Sequence, residues 1–129
     1  MRSVYDNVLS KFTLRPQRAT STQNGTGVDT LGYNSASVAL EVGTVSGTTP
    51  TLDVKIQDSA DNSAFADVTG LTFTQVTASN NSQVLRIEGL NTTTRRRYLR
   101  AVGTIAGTSP SFDIGVSILL GRASRGAVQ

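Results

Sequence analysis

Over most of the chain, apolar and polar residues alternate in short runs. Val38, Leu40 and Val42 alternate with smaller or polar neighbours, as do Leu52, Val54 and Ile56, Leu71 and Phe73, and Phe112, Ile114 and Val116. A period of two places such residues on one face of a half-buried strand. Val84-Leu85-Arg86-Ile87 and Phe65-Ala66-Asp67-Val68 read as further short strands. Polar clusters over 58–63, 78–82 and 89–94 separate these runs and read as turns. The pattern predicts about seven or eight strands with turn signals roughly every 8–12 residues, the signature of an all-β, antiparallel β-sandwich, jelly-roll-like in kind. This domain is expected over 33–121. Residues 1–32 lack sustained periodicity and read as an extended N-terminal arm, and 122–129 as a loose C-terminal tail. Within the arm, Val4, Tyr5, Val8, Leu9 and Phe12 could form a short amphipathic helical turn that Arg15-Pro16 would stop.

One stretch occurs twice. Residues 42–56 and 102–116 share Val42/Val102, Gly43/Gly103, Thr44/Thr104, Gly47/Gly107, Thr48/Thr108, Pro50/Pro110 and Asp53/Asp113, and most remaining positions exchange like for like. Each copy meets a Gly-Thr-x-Pro segment and then leaves in alternation. Glycine supplies positive φ and proline fixes φ where no ladder N–H is wanted, so the repeat predicts two equivalent hairpins, one in each half of the domain. The repeat aligns Arg100 with Leu40. Either Leu99 and Ala101 face the core instead, or that face of the sheet is covered by a partner.

Composition narrows the chemistry. The 129 residues suit one domain, and four Phe, three Tyr and no Trp leave the core to Val, Leu, Ile and Ala. There is no Cys and no His, which removes thiol nucleophiles, disulfides, imidazole bases and the common zinc sites. The lack of disulfides suits a reducing compartment, and the ends carry no apolar run of signal-peptide or membrane length, so synthesis and assembly in the cytosol are expected. Asn-x-Ser/Thr matches at Asn24, Asn80 and Asn91 are what a Ser/Thr-rich chain gives by chance. The net charge of +3 is unevenly spread. Lys11, Arg15 and Arg18 lie in the arm, Arg95, Arg96, Arg97 and Arg100 cluster, and the middle holds Lys55 against Asp53, Asp58, Asp61 and Asp67. A chain basic at its ends and acidic in its centre suits docking or self-association.

Four constellations invite a functional reading. Asp58, Asp61 and Asn62 offer clustered oxygens for calcium, yet lack EF-hand spacing, and a turn capped by its own side chains explains them. Asp53 and Asp113 could pair as a two-carboxylate catalyst, but equivalent positions in a repeat are more simply turn caps. Arg95, Arg96, Arg97 and Arg100 with Tyr98 could meet phosphates, an acidic protein neighbour, or only solvent. Finally Val4, Tyr5, Val8, Leu9, Phe12 and Arg15 could dock the arm on a partner. No catalytic, cofactor or metal site is expected.

Residues 33–120 resemble a known family. The resemblance rests on Tyr33, Val38-x-Leu40-x-Val42-Gly43, Leu52 to Ser59, Phe65-Ala66-Asp67-Val68, Arg97-Tyr98-Leu99-Arg100 and Gly107 to Phe112, with the stretches 57–68 and 95–107 its most characteristic parts. These look like the small β-sandwich head cement or decoration proteins of tailed bacteriophages. The resemblance implies a non-enzymatic virion protein on the capsid surface that bridges major capsid protein subunits as a homodimer or homotrimer. No small-molecule substrate and no membrane are expected, and nucleic acid is the least favoured partner. The alternative is a carbohydrate-binding adsorption module of a tail, baseplate or head surface, for which Tyr33 and Tyr98 would supply stacking faces.

Overall fold

The computed structural model describes residues 9–77, 82–88 and 96–123. Val4, Tyr5, Val8 and Arg95 lie outside the described residues, as do most of the turns expected at 78–82 and 89–94. The fold is an all-β antiparallel sandwich, with no helix among the described residues. The strands are β1 (Leu9–Ala19), β2 (Gln23–Asn24), β3 (Val28–Asp29), β4 (Tyr33–Ser59), β5 (Ala66–Thr72), β6 (Gln83–Glu88) and β7 (Tyr98–Ala123).

Two strands dominate. β4 and β7 are 27 and 26 residues long and pair along their whole length, from Tyr33 opposite Ala123 to Ser59 opposite Tyr98. Each long strand therefore serves both layers. In layer A the order is β1, the C-terminal half of β7, the N-terminal half of β4, then β6. In layer B it is β2 and β3, the N-terminal half of β7, the C-terminal half of β4, then β5.

This arrangement corrects the expectation of two hairpins. The two copies of the repeat pair with each other, with Thr48 opposite Thr108, so that a local pseudo-twofold runs through the crossing. Val45 faces Phe112 as its repeat mate Ile105 faces Leu52. The Gly-Thr-x-Pro segments are kinks within continuous strands. Gly47 and Gly107 have φ of 113° and 120°, and Thr49 and Ser109 both have φ of 47°. A Cβ on Gly107 would lie 2.7 Å from the carbonyl oxygen of Thr49, and one on Gly47 would lie 2.7 Å from that of Ser109. Only two glycines let the backbones cross this closely. Alternation gives strand and kink, but not whether a kink closes on its own chain or on its repeat.

Folded at the crossing, the halves enclose one core. Layer A contributes Val38, Leu40, Val116, Ile118 and Leu120, and layer B contributes Leu52, Val54, Ile56, Leu99 and Ala101. Each large aliphatic side chain buried in this way contributes about 1.5–3 kcal/mol. The register question is settled: Leu99 and Ala101 point inward and are fully buried, while Arg100 points outward opposite Gln57. Residue sums of paired positions shift by one across the crossing, from Val42 with Ile114 to Val54 with Gly103, so the two halves of the repeat are offset by one residue.

The expected boundary at residue 33 also moves. β1 is extended, as an arm would be, but it lies in layer A against β7, with Leu14 and Ala19 in the core. Leu9 to Phe12 are strand, not helical turn. A bulge at Thr13 ties the layers together: its Oγ1 accepts the N–H of Ala101 at 3.1 Å and donates to the carbonyl of Thr26 at 2.8 Å. At the other end, β7 carries the sheet to Ala123, so the expected tail begins later than residue 122.

Candidate docking surface

Antiparallel partners share a face, so the register fixes what each layer shows to solvent. The outer face of layer B carries Asp29, Asp53, Lys55, Gln57, Asp67, Tyr98 and Arg100, and its ionic groups are engaged within the chain. Lys55 meets Asp67 at 3.1 Å, and the Gln57 amide donates to the same carboxylate at 2.7 Å. These hydrogen bonds, that from Gln57 foremost, hold the Asp67 carboxyl below its ordinary range. Arg100 donates to Gln57 Oε1 at 2.9 Å and lies 4.1 Å from the Phe65 ring centroid. Arg97 grips Asp29 through Nε at 2.8 Å and Nη2 at 2.7 Å, which lowers the pKa of Asp29 and ties β3 to the start of β7.

The arginine cluster is thus divided by the fold. Arg97 and Arg100, expected as partner-binding groups, are engaged within the chain as braces. Arg96 gives its backbone N–H to Asp58 at 3.2 Å and leaves its side chain exposed. Asp61 accepts the N–H groups of Ser63 and Ala64 and the hydroxyl of Ser59, and these bonds, led by that from Ala64, depress its pKa. The 58–62 turn is capped by its own side chain, with Asn62 at φ 63°. Asp53 and Asp113 do not cap turns, contrary to expectation. Asp53 accepts from Gln75 Nε2 and Asp113 from Arg18 Nε at 3.0 Å, each on an outer face.

The outer face of layer A is different. One row across four strands reads Phe12, Ser117, Ala39, Val84, and the next reads Ser10, Leu119, Ser37, Arg86. Phe12, Leu119 and Val84 are 55%, 44% and 65% exposed, with small side chains between them. Leu9, opposite Leu120, and Leu31, between β3 and β4, are exposed apolar residues off this face, near the start of β1. Large exposed hydrophobics gathered on one face mark an interaction site more than scattered ones do. Beside them Lys11 and Arg15 are exposed and make no side-chain ion pair or hydrogen bond among the described residues.

Concavities converge on Phe12. It borders an open groove of about 690 Å³ with Pro16, Arg18, Glu41, Asp113 and Ser117. It also borders a hollow of about 470 Å³ toward Val28, Leu31 and Tyr33, and another of about 700 Å³ with Ser10, Lys11, Arg15 and Pro16. Of the expected docking residues, the fold brings together Leu9, Phe12 and Arg15. Leu119, Val84, Leu31 and Lys11 were missed. Their exposure depends on which face of the sheet is outermost, and the sequence signal that could have hinted at it is the small residues at alternate positions, Ser35, Ser37 and Ala39, with Ser117.

No protein-family model matches the sequence, and no curated protein matches it significantly. Solved structures do match. The SPBc2 prophage-derived protein YomS superposes with a TM-score of 0.51 at 10% identity, over 88% of this chain and 92% of that one. A chain in the structure of infectious bursal disease virus, Gx strain, superposes with a TM-score of 0.53 at 12% identity, over 92% of this chain and 32% of that one. One comes from a prophage and the other from a virus. At these identities the likeness is one of fold.

Proposed function

We propose that this chain is a non-enzymatic virion structural protein of the cement or decoration type. It binds the outer surface of a phage head and stabilises contacts between major capsid protein subunits, after synthesis and assembly in the host cytoplasm. The observation that carries the reading is the contrast between the two outer faces. Layer B is braced internally, whereas layer A presents Phe12, Leu119 and Val84 on a flat face free to pack against another protein. The fold's likeness to a prophage-derived protein and to a chain of a virus structure supports it. A rigid body of two long paired strands suits a part that transmits load between neighbours, and association as a homodimer or homotrimer would multiply weak contacts.

The test is mass in solution by light scattering, followed by co-sedimentation with purified heads of the virus that encodes the chain. A dimer or trimer that pellets with expanded heads is the expected result. A monomer that ignores heads overturns the reading.

A second reading is a carbohydrate-binding adsorption module, and the groove beside Phe12 favours it. There an exposed aromatic ring faces Glu41, Arg18 and Asp113, groups that could hydrogen-bond sugar hydroxyls. Retention on host-cell glycans without head binding would establish this reading in place of the first.

A further inference from the structure

Of the cations among the described residues, most are engaged within the chain, while Arg96, Lys11 and Arg15 are exposed. Arg18 pairs with Asp113, Lys55 with Asp67 and Arg97 with Asp29, and Arg100 is held by Gln57 and the Phe65 ring. Lys11 and Arg15 have no such partner among the described residues, and they stand on either side of Phe12 along β1. Both border the same hollow as Phe12, and Lys11 also borders the adjoining hollow lined by Leu9, Val28, Leu31, Tyr33 and Asp29, the last already paired with Arg97. Lys11 and Arg15 thus flank Phe12 along the open edge of β1, with the register turning Lys11, opposite Ile118, to the other face from Phe12, opposite Ser117.

From this geometry we infer that the β1 rim is a docking cleft for an acidic protein segment. An apolar side chain of the segment packs against Phe12 and Leu31, and carboxylates on either side of it meet Lys11 and Arg15. The inference rests on the docking role proposed above and names the chemistry of the partner element. The segment is not expected to join the sheet as an added strand. β1 is bulged between Phe12 and Leu14 and again between Leu14 and Gln17, Pro16 lacks an N–H, and the Thr13 carbonyl already accepts from Thr26 at 2.7 Å. Recognition through side chains remains, which makes affinity salt-dependent through the cations and salt-independent through the ring. A protein segment fits better than a nucleic acid because Leu9, Val28 and Leu31 line the hollow beside Lys11 together with the Asp29 carboxylate, and two cations are few for a run of phosphates.

The test uses the full chain and two probes: purified heads, and a short labelled peptide alternating leucine with glutamate, with a lysine-for-glutamate version as control. The glutamate peptide should bind and the control should not. Lys11→Glu with Arg15→Glu should weaken both the peptide and the heads, by about thirtyfold if two exposed ion pairs act at the upper end of their usual strength. Phe12→Ala should weaken binding while leaving its salt dependence unchanged. Heads bound equally by wild type and the double variant would overturn the cleft and leave the proposed function standing. Peptide bound without heads would overturn the function and leave the cleft standing. Retention of single-stranded DNA in place of the peptide, or a dimer abolished by the same double change, would reassign the cleft and overturn the inference.

Discussion

The two outer faces of the sandwich are built from the same pair of long strands and have opposite characters. On layer B, charge is answered locally: Asp67, Gln57, Arg100 and the Phe65 ring form a continuous chain, and Arg97 with Asp29 straps β3 to β7. On layer A, serine, alanine and glycine separate the exposed Phe12, Leu119 and Val84, with Arg86 and the Arg18–Asp113 ion pair on the same face. A face whose polar groups already have partners offers little to a second protein, because docking would have to replace bonds already made. Covering Phe12, Leu119 and Val84 removes apolar surface from water and breaks no hydrogen bond of theirs. Charge clusters in the sequence thus point away from the proposed docking face: two of the arginines that stand out most are structural braces.

The largest test breaks the frame both faces share. Gly107→Val places a Cβ against Thr49 and Pro50 at a φ of 120° and should cost about 3–5 kcal/mol, seen as a steep fall in melting temperature. Gly47→Val should cost the same if the crossing is truly symmetric. Gly70→Ala is the control, since φ is 85° there but nothing lies within 4 Å, and only the left-handed penalty of about 1–2 kcal/mol applies.

Next in size is a comparison of two phenylalanines. Phe112→Ala, fully buried between the layers, should lower stability by about 3–5 kcal/mol in urea unfolding. Phe12→Ala on the outer face should change it by less than about 0.5 kcal/mol.

Acid then separates the faces. Asp29, Asp61 and Asp67 all have folded pKa values below the ordinary 3.8. The stability they contribute is present above that value and is lost as the pH falls through their folded values. The urea midpoint should therefore decline below about pH 4, and less steeply in Asp29→Asn. The smallest effect on stability is expected from Val84→Ser with Leu119→Ser. This pair should leave the midpoint within about 0.5 kcal/mol of wild type and abolish co-sedimentation with heads.

Much of the core was legible. Val38, Leu40, Val42, Leu52, Val54, Ile56, Phe112, Ile114 and Val116 are buried where alternation places them, because a strand with one wet face has no other way to sort its side chains. The short runs at 66–72 and 83–88 are strands as well. β1 was not legible as a sheet strand. Its two bulges and Pro16 destroy the period-two signal while leaving Leu14 and Ala19 inside. A truncation of residues 2–20, harmless to an arm, would remove a strand of layer A.

By itself the sequence determined an antiparallel all-β chain, the repeat, and which residues alternate into the core, since these follow from local periodicity and backbone preference. Tertiary structure alone decided that the two repeats pair with each other, that Leu99 and Ala101 rather than Arg100 face inward, and that Arg97 and Arg100 are braces while Lys11 and Arg15 have no side-chain partner among the described residues. Each of these depends on which distant segment lies across the strand. A one-residue offset at the crossing, invisible in either copy of the repeat, is enough to turn every side chain beyond it to the other face.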